Sequence, residues 1–362
     1  MTTDLANYVG EFTYASEPKG VYRYVTTPIR LSHNPRCVLS SVPGVALKIH
    51  QFTIHNSRFS YLMPPSQHTP LATIPTSWQN TPIMTKKILL LGASGMLGQP
   101  VAHSLVKQGH HVRILVRSPE RARKIFGDTV EIIRGSATNK EDLQSALSGC
   151  DAVHISLTQD SELLATQHIL DLAATRSLQR ITYVSATSAS EQNRWFPMVD
   201  SKMRTEELIR QSGIPHVVFC PTWAMETLPS FYNGDRGVII IGKNPPPLHF
   251  FAAVDFGRIV AASYADDRAL GKRLFVHGPE AITLPVALER YFAACHPDLK
   301  LTHLPLWQAN LIAKITRRPA MAGIVDLIAY FDKIGEPGDP TATNTLFAPP
   351  SITLDNWFQT LQ

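Results

Sequence analysis

The chain has too few cysteines to be a disulfide scaffold and no apolar run long enough to be a transmembrane helix. Its four cysteines, Cys37, Cys150, Cys220 and Cys295, are scattered through 362 residues with no C-x-x-C pair. Reduced thiols in a cytosol-like, cytoplasmic setting are therefore expected. No stretch approaches the ~18 consecutive apolar residues that cross a bilayer, so no membrane span is expected. No zinc signature occurs either. The adjacent His110 and His111 lack ligand spacing, and no metal is expected. Net charge is also modest. Of the formal +5, residues 1–83 hold six Lys or Arg against three acids, leaving 28 against 26 for residues 84–362. A near-neutral globular part argues against direct nucleic-acid binding, which wants a concentrated basic face.

Acids are missing altogether between Glu17 and Glu120. Residues 1–83 are rich in Pro, Ser, Thr and His, and their apolar residues keep no sustained period. The reading adopted is an N-terminal extension that is disordered or not native. Two others stay open. An acid-poor targeting presequence is one, against which Asp4, Glu11 and Glu17 count; a small folded appendage is the other. Met84 then precedes T-K-K-I-L-L-L-G, a common opening of a nucleotide-binding domain.

What the chain does have is enough apolar material, 44% of residues, to bury a large core. From Met84 onward, strand-like and helix-like stretches alternate, which predicts an α/β fold with a doubly wound parallel sheet. Ile88–Leu91 form a continuous apolar run suited to a strand buried on both faces. Leu97, Val101, Leu105 and Val106 then recur at helical spacing. Between them stand Gly92, Gly95 and Gly98, with Ser94, Met96 and Leu97, where a strand turns into a helix. In that context the glycines predict a tight turn, close approach of a pyrophosphate and close helix–strand packing. The helix N-terminus offers the phosphates unpaired N–H groups and partial positive charge.

His111–Val116 read as the second strand, and Arg117 stands 19 residues after Gly98. An acid there would bind the adenosine ribose hydroxyl; arginine suits a 2′-phosphate, and so NADP, although NAD stays open. Arg121, Arg123 and Lys124 follow. Further strands are expected at Val130–Ile133, Ala152–Ile155, Arg180–Val184 and His216–Cys220, with Asn139 capping one helix. The loops around Ser136 and Ala137, and around Ser156 and Leu157, lie beyond strand ends and should border adenine and ribose. After Pro221 the pattern loosens. Asp255 is expected to cap helix Phe256–Ala265, Thr283 and Pro285 to open another, and helices to fall near Leu306–Thr316 and Ala320–Phe331. The division drawn is a Rossmann domain over 84–225 and a smaller substrate or lid portion over 226–362.

With these residues in place, the chain from Met84 onward resembles the atypical short-chain dehydrogenase/reductases, the NmrA-like NAD(P)-binding group. The matching stretches run in order: G-A-S-G-M-L-G, V-R-I-L-V-R-S-P-E-R-A, S-A-L-S-G-C-D-A-V, Y-V-S-A and S-G-I-P-H-V-V-F-C-P-T-W. The resemblance implies a Rossmann-type fold and NADP or NAD binding. Implied activities range from quinone, isoflavone and enone reduction to cofactor sensing without turnover. It also places the nicotinamide near Pro221, Trp223 and Met225, and Phe231 and Tyr232 are expected to extend an apolar pocket there.

The catalytic pattern of that family is incomplete here. Its Tyr-x-x-x-Lys becomes M-V-D-S-K, so Met198 stands for the tyrosine while Lys202 is kept to hold the nicotinamide ribose. Thr187, with Ser185 beside it, aligns with the family's Ser or Thr. General acid–base help is worth about 10²- to 10⁴-fold, and a thioether has no proton to give. Carbonyl–alcohol interconversion is disfavoured, and so is epimerase chemistry. The leading expectation is a reductase of a small apolar quinone or enone. The alternative is a non-catalytic NADP(H)-sensing or assembly protein that uses the bound cofactor to order a protein partner's surface.

Overall fold

The computed structural model describes residues 85–174, 177–232, 238–242, 245–316 and 319–361, together with strands Tyr8–Val9 and Ile29–Arg30. The chain divides into two units, Met1–Thr81 and Pro82–Gln362. In the first, the described residues form one antiparallel pair, Tyr8–Val9 with Ile29–Arg30. The remaining expectations for residues 1–83 lie outside the described residues.

The second unit is built on a seven-stranded sheet. Its strands are β1 (Lys87–Leu91), β2 (His111–Val116), β3 (Glu131–Arg134), β4 (Ala152–Ile155), β5 (Arg180–Val184), β6 (His216–Pro221) and β9 (Arg273–Val276). Their spatial order is β9-β6-β5-β4-β1-β2-β3, and every pairing is parallel. Strand order reverses beside β1, where β2 lies on one side and β4 on the other. The crevice beyond the strand ends at such a reversal is where ligands bind.

β1 shows why the run I-L-L-L is a strand. Ile88 and Leu90 pack into one apolar cluster with Val101 and Leu105 of α1 (Gly98–Lys107) and Phe256 and Ile259 of α6 (Ala253–Ser263). Leu89 and Leu91 pack into the other. There they meet Leu143 of α3 (Lys140–Leu147), Ile169 of α4 (Gln159–Ala173) and Ile209 of α5 (Pro197–Gln211). All four strand residues are fully buried, each stabilising the sheet by about 1.5–3 kcal/mol. The two-residue alternation therefore serves two helical layers at once. Between β2 and β3, α2 (Pro119–Phe126) buries Ala122 and Phe126.

Beyond β6 the chain leaves the sheet and then returns to it. α6 packs on α1, closely enough that a Cβ on Gly257 would stand 2.5 Å from the Pro100 carbonyl oxygen. β9 then pairs with β6. The division drawn at residue 225 thus runs through one compact unit. A third apolar cluster joins β7 (Val238–Ile241), β8 (Leu248–His249), α7 (Leu284–Cys295), α8 (Leu306–Thr316), α9 (Pro319–Ile334) and α11 (Leu354–Gln359). β7 pairs with β11 (Leu301–Leu304), and β8 with β10 (Ala281–Ile282). α10 (Thr341–Leu346) lies between α9 and α11 in the chain.

One cap differs from the sequence expectation. α6 begins at Ala253, and Asp255 lies inside its first turn. The first amide is met by the distant Glu226, whose carboxylate accepts the Ala253 N–H at 2.9 and 3.1 Å. Asp255 instead accepts the Ser351 and Ile352 N–H groups at 2.8 and 3.1 Å, tying the C-terminal segment to α6. Asn139 and Thr283 do cap, accepting the Asp142 and Val286 N–H groups.

Candidate active site

The glycine turn is forced by what surrounds it. Gly92 has φ +82°, and a Cβ there would fall 1.9 Å from the Ser156 carbonyl oxygen. A Cβ on Gly98 would stand 2.1 Å from the Gly92 carbonyl oxygen. Neither position admits a side chain, so α1 starts flush against the end of β1. Gly95 donates its N–H to the Gly92 carbonyl at 2.9 Å. A Cβ on Gly95 would meet only that oxygen, at 3.1 Å, which leaves its outer side bare for a phosphate.

A cavity of about 460 Å³ opens over this turn. Gly92, Ser94, Gly95, Arg117, Ser136, Ala137, Ser156 and Leu157 line it. Thr138, Thr158 and Ser161 join them. The loop after β3 is held from below: Asp142 accepts the Ser136 N–H at 2.8 Å, and the Ser136 and Thr138 hydroxyls lie 2.8 Å apart. Arg117 is exposed at the end of β2. Of the four basic residues expected near the phosphate, Arg117 lines this cavity; Arg121, Arg123 and Lys124 do not.

Ser156 and Leu157 also border a second cavity, of about 310 Å³, so the two lobes form one elongated crevice. Met96, Leu97, Ser185, Thr187, Lys202, Pro221 and Trp223 line this second lobe, together with Met198. Gly98 lines neither lobe and acts through packing. Trp223 sits edge-on to Phe331, with ring centroids 5.2 Å apart. Met225, Phe231 and Tyr232 are not in the lining. Met225 is buried in the C-terminal cluster, Phe231 packs against it, and Tyr232 stacks on His296. Sequence reasoning missed Leu327 and Phe331 of α9, which close the lobe from above.

The polar groups here are tied to one buried acid. Glu162, fully buried on α4, accepts from Tyr183 Oη at 2.9 Å, Ser201 Oγ at 3.0 Å and Lys202 Nζ at 3.1 Å. Lys202 also donates to the Val184 carbonyl at 3.1 Å, leaving one of its three donors for a ligand. Burial, and then the Glu162 charge, push the Tyr183 phenol well above its ordinary pKa. Tyr183 is absent from the lining, so it does not replace the phenol missing at Met198. Ser185 Oγ is committed to Glu206 of α5. Thr187 donates its N–H to the Pro221 carbonyl at 3.1 Å, and its hydroxyl is free to meet a ligand. Burial raises the Cys220 thiol to about 12, which makes it inert.

His249, His277 and Glu336 bring ligand-type atoms within 4.8 Å of one another. Glu336 already accepts the His249 N–H at 3.0 Å and its Nδ1. The His277 Nε2 is buried without an acceptor, whereas a metal-bound imidazole normally donates its second nitrogen. The cluster is a hydrogen-bonded clasp that fastens the end of α9 to β8, and so holds Leu327 and Phe331 in place.

Sheet order, glycine turn and two-lobed crevice define a Rossmann-type fold of the extended short-chain dehydrogenase kind. Residues 84–341 match the model of the NmrA-like family, and the chain belongs to that family. It is similar to a (4-alkanoyl-5-oxo-2,5-dihydrofuran-3-yl)methyl phosphate reductase of Streptomyces griseus, 29% identical over 198 residues, 54% of this chain and 69% of that one. It is also similar to the Photosystem II assembly factor Ycf39 of Cyanophora paradoxa, 27% identical over 36% of this chain and 44% of that one. Among solved structures, the NADPH complex of an Escherichia coli quinone oxidoreductase shares the fold. Its TM-score is 0.59 at 21% identity, covering 76% of this chain and 99% of that one.

Proposed function

We propose that the protein is an NADPH-dependent oxidoreductase whose acceptor is a small, apolar quinone or enone. The observation that carries this reading is the second lobe. It is walled by Leu157, Val184, Met198, Trp223, Leu327 and Phe331, and Lys202 is its one ionisable residue. Such a pocket favours a flat, uncharged acceptor. The relative named as a (4-alkanoyl-5-oxo-2,5-dihydrofuran-3-yl)methyl phosphate reductase supports a reductase, and the solved NADPH-dependent quinone oxidoreductase of the same fold supports the quinone acceptor.

The residues fit a dinucleotide along the whole crevice. The amides around Gly95 would take the pyrophosphate, Arg117 the 2′-phosphate, and the free Lys202 donor a nicotinamide ribose hydroxyl. When bound, the reduced nicotinamide supplies a hydride. Thr187 would donate its hydroxyl to the acceptor's oxygen, polarising the acceptor toward attack. The proton reaches that oxygen from water, because Lys202 is held beside the Glu162 carboxylate and Met198 has none to give. A quinone or conjugated alkene tolerates this arrangement; an isolated ketone loses the 10²- to 10⁴-fold help of a phenol.

The test is NADPH oxidation by the purified protein with menadione, cyclohexenone and cyclohexanone as acceptors. Turnover with the first two above the enzyme-free rate, and none with the saturated ketone, is expected. Fastest turnover with cyclohexanone would overturn the reading. The absence of a phenol from the lining also favours the non-catalytic alternative, a sensing or assembly protein. NADPH binding without turnover of any acceptor would select it.

A further inference from the structure

The hairpin that closes the cavity has a second face, and that face is apolar where a helix in water is ordinarily polar. On α8, Trp307, Leu311 and Ile315 follow one another at spacings of four, with Ile312 beside them, and all four are exposed. Trp307 is 66% exposed and Ile315 71%. Ala309 and Ala313 turn the opposite side of the helix into the C-terminal cluster. Ile324 continues the exposed apolar surface onto α9. Single exposed leucines need no explanation; a row headed by tryptophan does.

Charge identifies what covers it. Between Asp298 and the exposed Asp326 of α9 the sequence contains Lys300, Lys314, Arg317 and Arg318 and not one acid. Lys300 and Lys314 are exposed. On a helical projection Lys314 falls within a fifth of a turn of Trp307, at the margin of the apolar row. A second copy docked with its α8 parallel to this one would bring Lys314 toward its own counterpart, which like charges oppose; an antiparallel copy is left to the oligomeric state measured below. An apolar row with Lys314 at its margin fits the boundary between anionic headgroups and acyl chains.

We propose that the α8–α9 hairpin is a docking surface for an anionic lipid membrane. Trp307, Leu311 and Ile315 enter the interface, and Lys314 meets the lipid phosphates. The hairpin lies in the membrane plane. No described helix is long and apolar enough to cross one. The same α9 supplies Leu327 and Phe331 to the cavity, so an apolar acceptor held in lipid lies next to the wall it must pass. That route rests on the reductase reading; the docking itself does not.

Flotation of the full chain tests it, with vesicles of phosphatidylcholine alone and of phosphatidylcholine carrying phosphatidylserine. Anionic vesicles are expected to bind at least about tenfold more protein, with a blue shift in tryptophan emission and loss of binding at high salt. The double variant Leu311→Gln, Ile315→Gln should lose flotation, and Lys314→Glu should weaken it severalfold, both with unchanged NADPH affinity. Failure of the wild type to float with anionic vesicles overturns the proposal, as does unaltered flotation of the double variant. A dimer that the double variant converts to monomer also overturns it, by assigning the stripe to a second copy. Flotation without turnover would remove the reductase reading and leave the docking surface standing.

Discussion

The Lys202 ammonium shares the Glu162 carboxylate with Tyr183 and Ser201, and Glu162 has no exposed surface at all. Its first duty is therefore to balance a buried charge, and in the proposed function the donor left over would bind the cofactor. Lys202→Met removes both. Leaving a buried carboxylate unpaired costs about 3–5 kcal/mol, so urea denaturation should show a large drop in stability. Adding Glu162→Gln should recover most of it, while the affinity for NADPH stays reduced. Recovery of affinity along with stability would show that Lys202 does not touch the cofactor. Arg117 has the opposite character, exposed and making no ion pair among the described residues. A charge-assisted contact from it to a 2′-phosphate, as proposed, would be worth about 1.5–3 kcal/mol. Arg117→Ala should lower the NADPH-over-NADH preference roughly tenfold to a hundredfold with unchanged thermal stability. Paired calorimetric titrations read this directly, and an unchanged preference would move the phosphate contact elsewhere.

At the level of elements, much of the cofactor half was legible because parallel strands are buried on both faces and so appear as uninterrupted apolar runs. β2, β4 and β5 begin and end at the residues read from the sequence, with the polar members Arg113, His154 and Thr182 buried inside them. The glycine turn was legible for a steric reason, since a side chain at Gly92 or Gly98 would overlap a carbonyl. The substrate half was less so. The spacing that puts Phe331 and Leu327 into the cavity also serves an ordinary core helix, as Val325 and Ile328 of the same helix show. Glu162 looks like one more acid on a helix face until the fold places Tyr183, Ser201 and Lys202 around it. Asp255 read as a cap because its true partners, Ser351 and Ile352, are nearly a hundred residues away. β8 and β10 are two residues each, too short to carry a period. α9 nevertheless lines the second lobe with Leu327 and Phe331, and in the proposed function it would set how large an acceptor fits. Phe331→Ala should open the wall and shift kcat/KM toward bulkier quinones by about tenfold, within the range that one apolar contact discriminates. NADPH affinity should hold, because the adenosine lobe is built from the β1 to β4 loops. A loss of NADPH binding of similar size would place Phe331 against the cofactor rather than the acceptor.

Across the whole molecule, the sheet carries a titration that links fold stability to pH. His154 lies in the middle of β4, fully buried, with Nδ1 2.8 Å from Thr182 Oγ1, which in turn lies 2.9 Å from the Tyr264 phenol. Burial lowers its pKa from 6.5 to about 3. The imidazole is thus neutral in the folded protein, while in the unfolded chain it takes up a proton near pH 6.5. The unfolded state binds more protons throughout that window, so the stability present above pH 6.5 is lost as pH falls toward 3, at up to about 1.4 kcal/mol per unit. At pH 5 the loss from this one side chain is about 2 kcal/mol. His110 and His277 are lowered by burial and act in the same direction. Glu226, raised by burial, acts against them, because its folded form takes up a proton before the unfolded one does. The carboxylates that basic partners hold low, such as Glu131 beside Arg113 and Lys87, lose stability only in the ordinary carboxylate range and below it. Between pH 6.5 and 5 the histidines therefore dominate. Urea denaturation across that interval should show stability falling with acidification, and His154→Gln, which keeps a partner for Thr182 and removes the titrating ring, should flatten the slope by about one proton. A slope unchanged in that variant would show that the proton is taken up elsewhere.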